Sequence, residues 1–257
     1  MEILTLKQLL SKELPSIPSV IGDGILYSGT RMLVYGRYKS YKSMLAIHTS
    51  MSIASGRPWF GHQVARRSVL HCQVEIPEFL FQNRMTKYCA GNNCYPENIY
   101  FSNEPYMKLD RGNSMNHLEI AIQAFKPDVL VIDPLYKVMT GKVEESQDIT
   151  KFTDEVDRIK DKYHLTLIII HHETKDIITS QGIFDRGSQS MHGSAYLLNW
   201  ADTIIKVEAD TLLSRVRLQF TDMRHAEDIV PDVYAVMNKD TLEWKQIEGG
   251  MDIHGLL

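Results

Sequence analysis

Gly36-Arg37-Tyr38-Lys39-Ser40-Tyr41-Lys42-Ser43 is the segment whose residue types and spacing can do chemistry. An apolar run, Met32–Tyr35, leads into it, and the helical pattern Met44-Leu45-Ala46-Ile47 follows it. Strand, short loop and helix in that order give the phosphate-binding pattern G-x-x-x-x-G-K-[ST]. Its chemistry needs backbone N–H groups curled around a phosphate, a lysine at the β- and γ-phosphates and a hydroxyl on Mg²⁺. A helix that starts at the loop adds the positive end of its dipole. Gly36, Lys42 and Ser43 match the pattern, with Arg37, Tyr38, Lys39, Ser40 and Tyr41 completing the loop; Tyr41 stands where the second glycine belongs.

Val129-Leu130-Val131-Ile132-Asp133 is an apolar strand ending in an acid. Ligands in open α/β sheets sit at the carboxyl ends of the parallel strands, so Asp133 is expected beside the loop, holding Mg²⁺ directly or through a water. Taken alone, the same residue reads as a surface Asp before a turn at Pro134. Pro134 occupies the place where many ATPases carry a water-activating glutamate, so a base must come from elsewhere. Glu75, at the end of the run Ser68–Val74, is the favoured base; the alternative is a carboxylate at the favourable end of the helix that follows. His171 and His172 end another apolar run, and one of them, His171 by preference, would sense the γ-phosphate. Adjacent strand residues face opposite sides, which makes a shared metal site awkward. Within the long polar run Glu173–Gly193, Lys175, Arg186 and His192 are candidate contacts to a nucleic-acid backbone, with a solvated loop as the alternative. Arg224 either reaches the γ-phosphate of an adjacent subunit or is a surface arginine in a hairpin turn.

The hydrophobic pattern supplies a frame for these residues. Strands are predicted at Arg31–Tyr35, Ser68–Val74, Ile99–Phe101, Val129–Ile132 and Leu165–Ile170. Helices are predicted at Lys42–Ala54, Pro77–Ala90 and Ser114–Phe125, and a stripe at Ile149, Phe152, Val156, Ile159 and Tyr163 marks another. After Ala201 come four strands without helices: Thr203–Val207, Arg215–Thr221, Val233–Met237 and Leu242–Gln246. The fold class is therefore α/β, a mostly parallel sheet with helices on both faces and a C-terminal antiparallel extension. Residues 1–30, punctuated by Pro15, Pro18, Gly22, Gly24 and Gly29, read as an arm or linker, and 31–257 as the catalytic domain.

Composition narrows the class further. With 257 residues, 44% of them hydrophobic, the chain can bury a full core as one domain. A net charge of −4 argues against a uniformly basic nucleic-acid coat, while leaving room for a local basic loop. Three cysteines, Cys72, Cys89 and Cys94, make neither a disulfide framework nor a paired zinc motif. The N-terminal residues lack the pattern of a signal peptide, and no window approaches the roughly 18 apolar residues of a membrane span. A cytoplasmic protein is expected.

These motifs, with Ser55-Gly56-Arg57-Pro58-Trp59-Phe60-Gly61, Val74-Glu75-Ile76-Pro77, Arg84-Met85, Ile132-Asp133-Pro134-Leu135-Tyr136-Lys137, His171-His172-Glu173-Thr174-Lys175 and His192-Gly193-Ser194, make the chain resemble the RecA-like P-loop ATPases. The resemblance is greatest to the branch of the plasmid hexameric helicase RepA and related phage and mobile-element ATPases. That branch often carries an aromatic residue at the place of Tyr41. The resemblance implies ATP and Mg²⁺ as ligands, Glu75 activating water, Asp133 serving the metal, and the strand-end histidine coupling nucleotide to DNA loops. It also implies single-stranded DNA, a hexameric ring or filament, replication proteins as partners, and a phage or plasmid origin. Two positions depart from the family: His192 replaces its arginine before Gly-Ser, and Asp222 replaces its lysine two residues before Arg224. Arg186 or Arg224 is left to act across the interface. A strand-pairing recombinase, a DNA-independent regulatory ATPase and a nucleotide-holding module with negligible turnover are the alternatives.

Overall fold

The computed structural model describes residues 3–13, 18–104, 107–110, 112–141, 143, 146–173, 177–179, 182–184 and 195–248. A short helix α1 (Leu6–Ser11) precedes a small hairpin, β1 (Ser19–Ile21) and β2 (Leu26–Tyr27). The alternating core follows: β3 (Arg31–Gly36), α2 (Lys42–Ser55), β4 (Val69–Gln73), α3 (Glu78–Asn92), β5 (Ile99–Ser102), α4 (Gly112–Phe125), β6 (Val129–Asp133), α5 (Leu135–Val138), α6 (Ser146–Tyr163) and β7 (Thr166–His172). A hairpin of β8 (Ile177–Thr179) and β9 (Gly182–Phe184) falls inside the stretch expected as loop. Then come α7 (Ala195–Trp200), β10 (Thr203–Asp210), β11 (Arg215–Met223), β12 (Val233–Met237) and β13 (Trp244–Gln246).

The large sheet runs β13-β12-β11-β10-β3-β7-β6-β4-β5. From β10 to β5 neighbouring strands are parallel, and from β10 to β13 they are antiparallel. This is the expected α/β architecture with its antiparallel extension. Each central strand feeds two cores by alternation. Met32 and Val34 of β3, Val129 and Val131 of β6, and Ile168 and Ile170 of β7 enter one core with α2. Leu33 and Tyr35, Leu130 and Ile132, and Leu167 and Ile169 enter the other, with Met115, Leu118 and Ile122 of α4 and the α6 stripe Ile149, Phe152, Val156 and Ile159. Helix α2 is buried nearly all round, its polar Thr49, Ser50 and Ser52 included, because it is covered on both sides, by the sheet and by Trp59 and Phe60.

The hairpin within residues 1–30 is packed in the first core: Val20, Ile21, Ile25 and Leu26 are buried, and Gly22 donates its N–H to Gln63 O at 2.8 Å. Helix α1, by contrast, buries none of its residues. Among the described residues no helix is long and apolar enough to cross a membrane.

The topology matters for chemistry. Strand β7 lies between β3 and β6, so the histidine pair at its end is inserted between the loop after Gly36 and the carboxylate of Asp133. Register places Gly36 opposite His172, and Gln73 opposite Asp133.

Candidate active site

The loop after β3 closes against β10. A Cβ at position 36 would lie 2.3 Å from Val207 O, so only glycine fits there. The Lys42 Nζ lies inside the loop, donating to Gly36 O at 2.8 Å, Arg37 O at 2.6 Å and Ser40 Oγ at 3.1 Å. Lys42 and Ser40 are both buried. Burial pushes the lysine down to about 8, against the pull of Asp133, Glu173 and Glu75.

Tyr41 occupies the glycine position in the left-handed region, with φ 61° and ψ 15°, and Lys39 does so too at φ 62°. A β-carbon there costs about 1–2 kcal/mol. The Tyr41 side chain offsets that cost: its ring packs on the first core, and its hydroxyl donates to Thr211 O at 3.1 Å, with Ser214 Oγ at 3.3 Å. The turn between β10 and β11 thus pins the N-terminus of α2. Nothing in the local sequence around Tyr41 announces an anchor some 170 residues away.

Asp133 ends β6 fully buried, hydrogen-bonded by Ser43, and its Oδ1 has no hydrogen-bond partner among the described residues. Burial pushes its carboxyl up to about 6, despite the Ser43 hydrogen bond and the nearby cations of Lys42 and Arg84. Glu75 follows β4 across the cleft. Gln73, with its amide oriented to satisfy its neighbours, grips that bend: its oxygen accepts from Glu75 N at 3.0 Å and Ile76 N at 2.6 Å, and its nitrogen donates to Asn103 Oδ1 at 2.6 Å. The outer face of Glu75 is bound by Tyr136 Oη, which donates to Oε1 at 2.8 Å.

The strand alternation separates the two histidines. His172, half-buried, lines the cleft, while His171 is buried and its Nδ1 has no hydrogen-bond partner among the described residues. Burial, then His172 and Lys42, lower His171 to about 4, so it is a neutral imidazole at neutral pH. Tyr38 and Tyr136 flank His172, at ring-centroid distances of 6.2 and 5.4 Å.

The cleft holds about 740 Å³ and runs from Lys42, Ser43 and Glu75 along α3 to Met237 and Leu242. Leu80, Asn83, Arg84 and Lys87, spaced as one helical face of α3, form its far wall. Arg84 forms no ion pair with any described residue. Within this cleft the structure brings together Tyr38, Lys39, Ser40, Tyr41, Lys42, Ser43 and Glu75, with Asp133 hydrogen-bonded to Ser43 beneath them.

Arg224 lies elsewhere. Its N–H donates to Asp202 O at 3.0 Å, and its guanidinium meets Asn199 O and stands 4.0 Å from the Asp202 carboxylate. Strand β10 pairs with β3 from Thr203 opposite Met32 to Val207 opposite Gly36, so Arg224 sits at the other end of the sheet from Gly36, about 13 Å of strand away. Lys175, Arg186 and His192 lie outside the described residues. Tyr136, Arg84, Gln73 and the Thr211–Ser214 turn are site residues to which sequence reasoning gave no role. Gln73 closes its strand as a polar residue, and Arg84 and Tyr136 fall inside the motifs that carry the family resemblance, without a role read from them.

Comparison with known proteins places this geometry in context. The profile of a family described as AAA domain matches residues 2–177. No curated protein matches the chain at sequence level. A solved structure described as a DnaB-like replicative helicase and its interactions with primase superposes with a TM-score of 0.66 at 12% identity, covering 94% of this chain and 66% of that one. The chain thus spans slightly less than two thirds of that protein. It is one of 596 chains that match, so the likeness identifies a widespread fold.

Proposed function

Because the chain belongs to the AAA domain family, we propose that it is a Mg²⁺-dependent ATPase whose turnover drives translocation on, or remodelling of, single-stranded DNA. The observation that carries the ATPase reading is the convergence of Lys42, Ser43, Asp133 and Glu75 on one cleft at the carboxyl ends of β3, β6 and β4. The residues fit a magnesium ion: Asp133 has a buried oxygen without a partner among the described residues, and Ser43 presents a hydroxyl beside it. Mg²⁺ prefers one or two such protein ligands with phosphate oxygens and water filling the rest. When bound it would neutralise phosphate charge during transfer.

The chain's own groups do the rest. The loop N–H groups and the Lys42 ammonium hold the triphosphate tail, and the aligned start of α2 favours its charge. The Glu75 carboxylate takes the proton of a water aimed at the γ-phosphate, and Gln73 keeps the backbone that carries Glu75 in place. Arg84 supplies positive charge from the α3 wall of the same chain. His172, on the cleft wall and in a strand that continues toward residues 173–193, is the favoured sensor, with His171 buried behind it.

The DNA half of the proposal rests on the likeness to a replicative helicase fold and on the RepA-like motifs. Assembly into a hexameric ring or filament is part of the same proposal, in which Arg224, far from its own cleft and with a side chain 39% exposed, would leave Asn199 and Asp202 to reach a neighbour's γ-phosphate. Lys175, Arg186 and His192 are the proposed DNA contacts, and a replication protein such as a primase is the partner class that the helicase likeness suggests. The organisation into an arm at 1–30 and a catalytic domain at 31–257, a cytoplasmic site of action and a phage or plasmid origin belong to the same proposal.

The test is the steady-state rate of ATP hydrolysis with and without single-stranded DNA. Stimulation by DNA is the expected result. A rate indifferent to DNA would remove the DNA half and leave a regulatory ATPase.

A further inference from the structure

We infer that Tyr136 is the positioning residue for the general base, holding the Glu75 carboxylate in its working orientation through a phenol hydrogen bond. The inference rests on the ATPase reading above and deepens it.

Three observations carry it. The Tyr136 hydroxyl donates to Glu75 Oε1 at 2.8 Å, close to the ideal length for such a bond. It engages one carboxylate oxygen and leaves the other for water. Glu75 itself sits in a turn between β4 and α3, where a side chain with three rotatable bonds has many orientations open to it.

The tyrosine is mounted on a rigid support. Helix α5 is one turn long, but Leu135 and Val138 are both fully buried, so the turn is clamped to the second core on either side of Tyr136. Lys108 Nζ secures its end by donating to Lys137 O and Met139 O, both at 2.6 Å. The ring also stands edge-on to His172 at 5.4 Å, which fixes its swing.

Chain geometry gives the bond its purpose. Tyr136 is three residues beyond Asp133, so the residue that holds the metal and the residue that aims the base share one short segment, buried at Asp133, Leu135 and Val138 and exposed at Tyr136 itself. Glu75 comes from a different strand, β4, and the phenol ties it to the β6 end. The two carboxylates are thereby kept in register across the strand pair, which is what in-line attack on a metal-bound phosphate demands. Burial, followed by the hydrogen bond to Glu75, raises the phenol above its ordinary range, so Tyr136 stays protonated and remains a donor throughout the neutral range.

Tyr136→Phe is the test, since it removes one oxygen and keeps the ring against His172. The steady-state kcat for ATP should fall about tenfold, the effect of losing one hydrogen bond to a charged group. KM and the Kd for a fluorescent ATP analogue should change less than twofold, because the triphosphate is held by the loop and not by Glu75. A structural role for Tyr136 would move binding as well. Wild-type or faster turnover in Tyr136→Phe, or a rise in KM with kcat unchanged, would overturn the assignment. Glu75→Gln, measured alongside, separates the two levels of the argument. Turnover lost in Glu75→Gln but kept in Tyr136→Phe refutes the positioning role alone. Turnover kept in Glu75→Gln refutes Glu75 as the base, and the positioning role with it.

Discussion

Restoring the second glycine of the loop by Tyr41→Gly should weaken this protein, although it makes the sequence match the phosphate-binding pattern. The left-handed conformation at φ 61° is relieved, a gain of about 1–2 kcal/mol. Against it stand three losses. The hydroxyl contact to Thr211 O and Ser214 Oγ contributes about 1 kcal/mol. The half-buried ring on the first core contributes about 1 kcal/mol, less than the 1.5–3 of a fully buried side chain. Glycine adds backbone freedom to the unfolded chain, about 0.5–1 kcal/mol. The balance is a destabilisation of about 0.5–2 kcal/mol, or roughly 1–8 °C in Tm for a domain of this size. Tyr41→Phe keeps the ring and should lose about 1 kcal/mol. Urea denaturation of the three proteins, followed by circular dichroism, reads both differences from the midpoints at constant slope. A Tyr41→Gly protein as stable as the wild type would refute the view that the 211–214 turn anchors the loop.

Two further outcomes follow from the geometry. His48, partly exposed on α2 with its Nδ1 2.8 Å from Tyr88 Oη and its ring among Phe60, Tyr88 and Trp244, is pushed by desolvation down to about 4. Between that value and its ordinary 6.5 the unfolded chain binds a proton that the folded chain does not, so stability rises with pH across this window. About 3 kcal/mol should be lost from this group on acidifying from pH 6.5 to 4, and urea midpoints for His48→Gln should lose that part of the slope; an unchanged slope would contradict it. Arg84→Ala should lower kcat/KM for ATP about tenfold, as expected for a cation facing the cleft, and a wild-type value would place that charge outside the reaction.

The frame was legible because its signals are local and repetitive. Continuous apolar runs such as Val129–Ile132 gave the parallel strands, and the Ile149–Phe152–Val156–Ile159 stripe gave a helix. The placement of the loop residues and Asp133 side by side was legible for the same reason: a motif at a strand's carboxyl end leaves a compact signature. What escaped depends on contacts made far along the chain. The burial of Val20 and Ile21 was hidden by the Pro- and Gly-rich text around them, because a hairpin of two- and three-residue strands is too short to show a period. The choice between His171 and His172 turns on strand phase, which a shift of one residue reverses. Tyr136 was visible only as part of the motif after Asp133; its contact with Glu75 arises where β4 and β6 lie side by side.

The account stands most directly on the rate of ATP hydrolysis by the wild-type chain in Mg²⁺, measured beside Lys42→Ala. It predicts steady turnover in the wild type, and both turnover and nucleotide binding reduced to background in the variant. Wild-type turnover in Lys42→Ala would contradict the assignment of this loop as the phosphate site, and a wild-type chain that binds ATP without turning it over would contradict the assignment of hydrolysis.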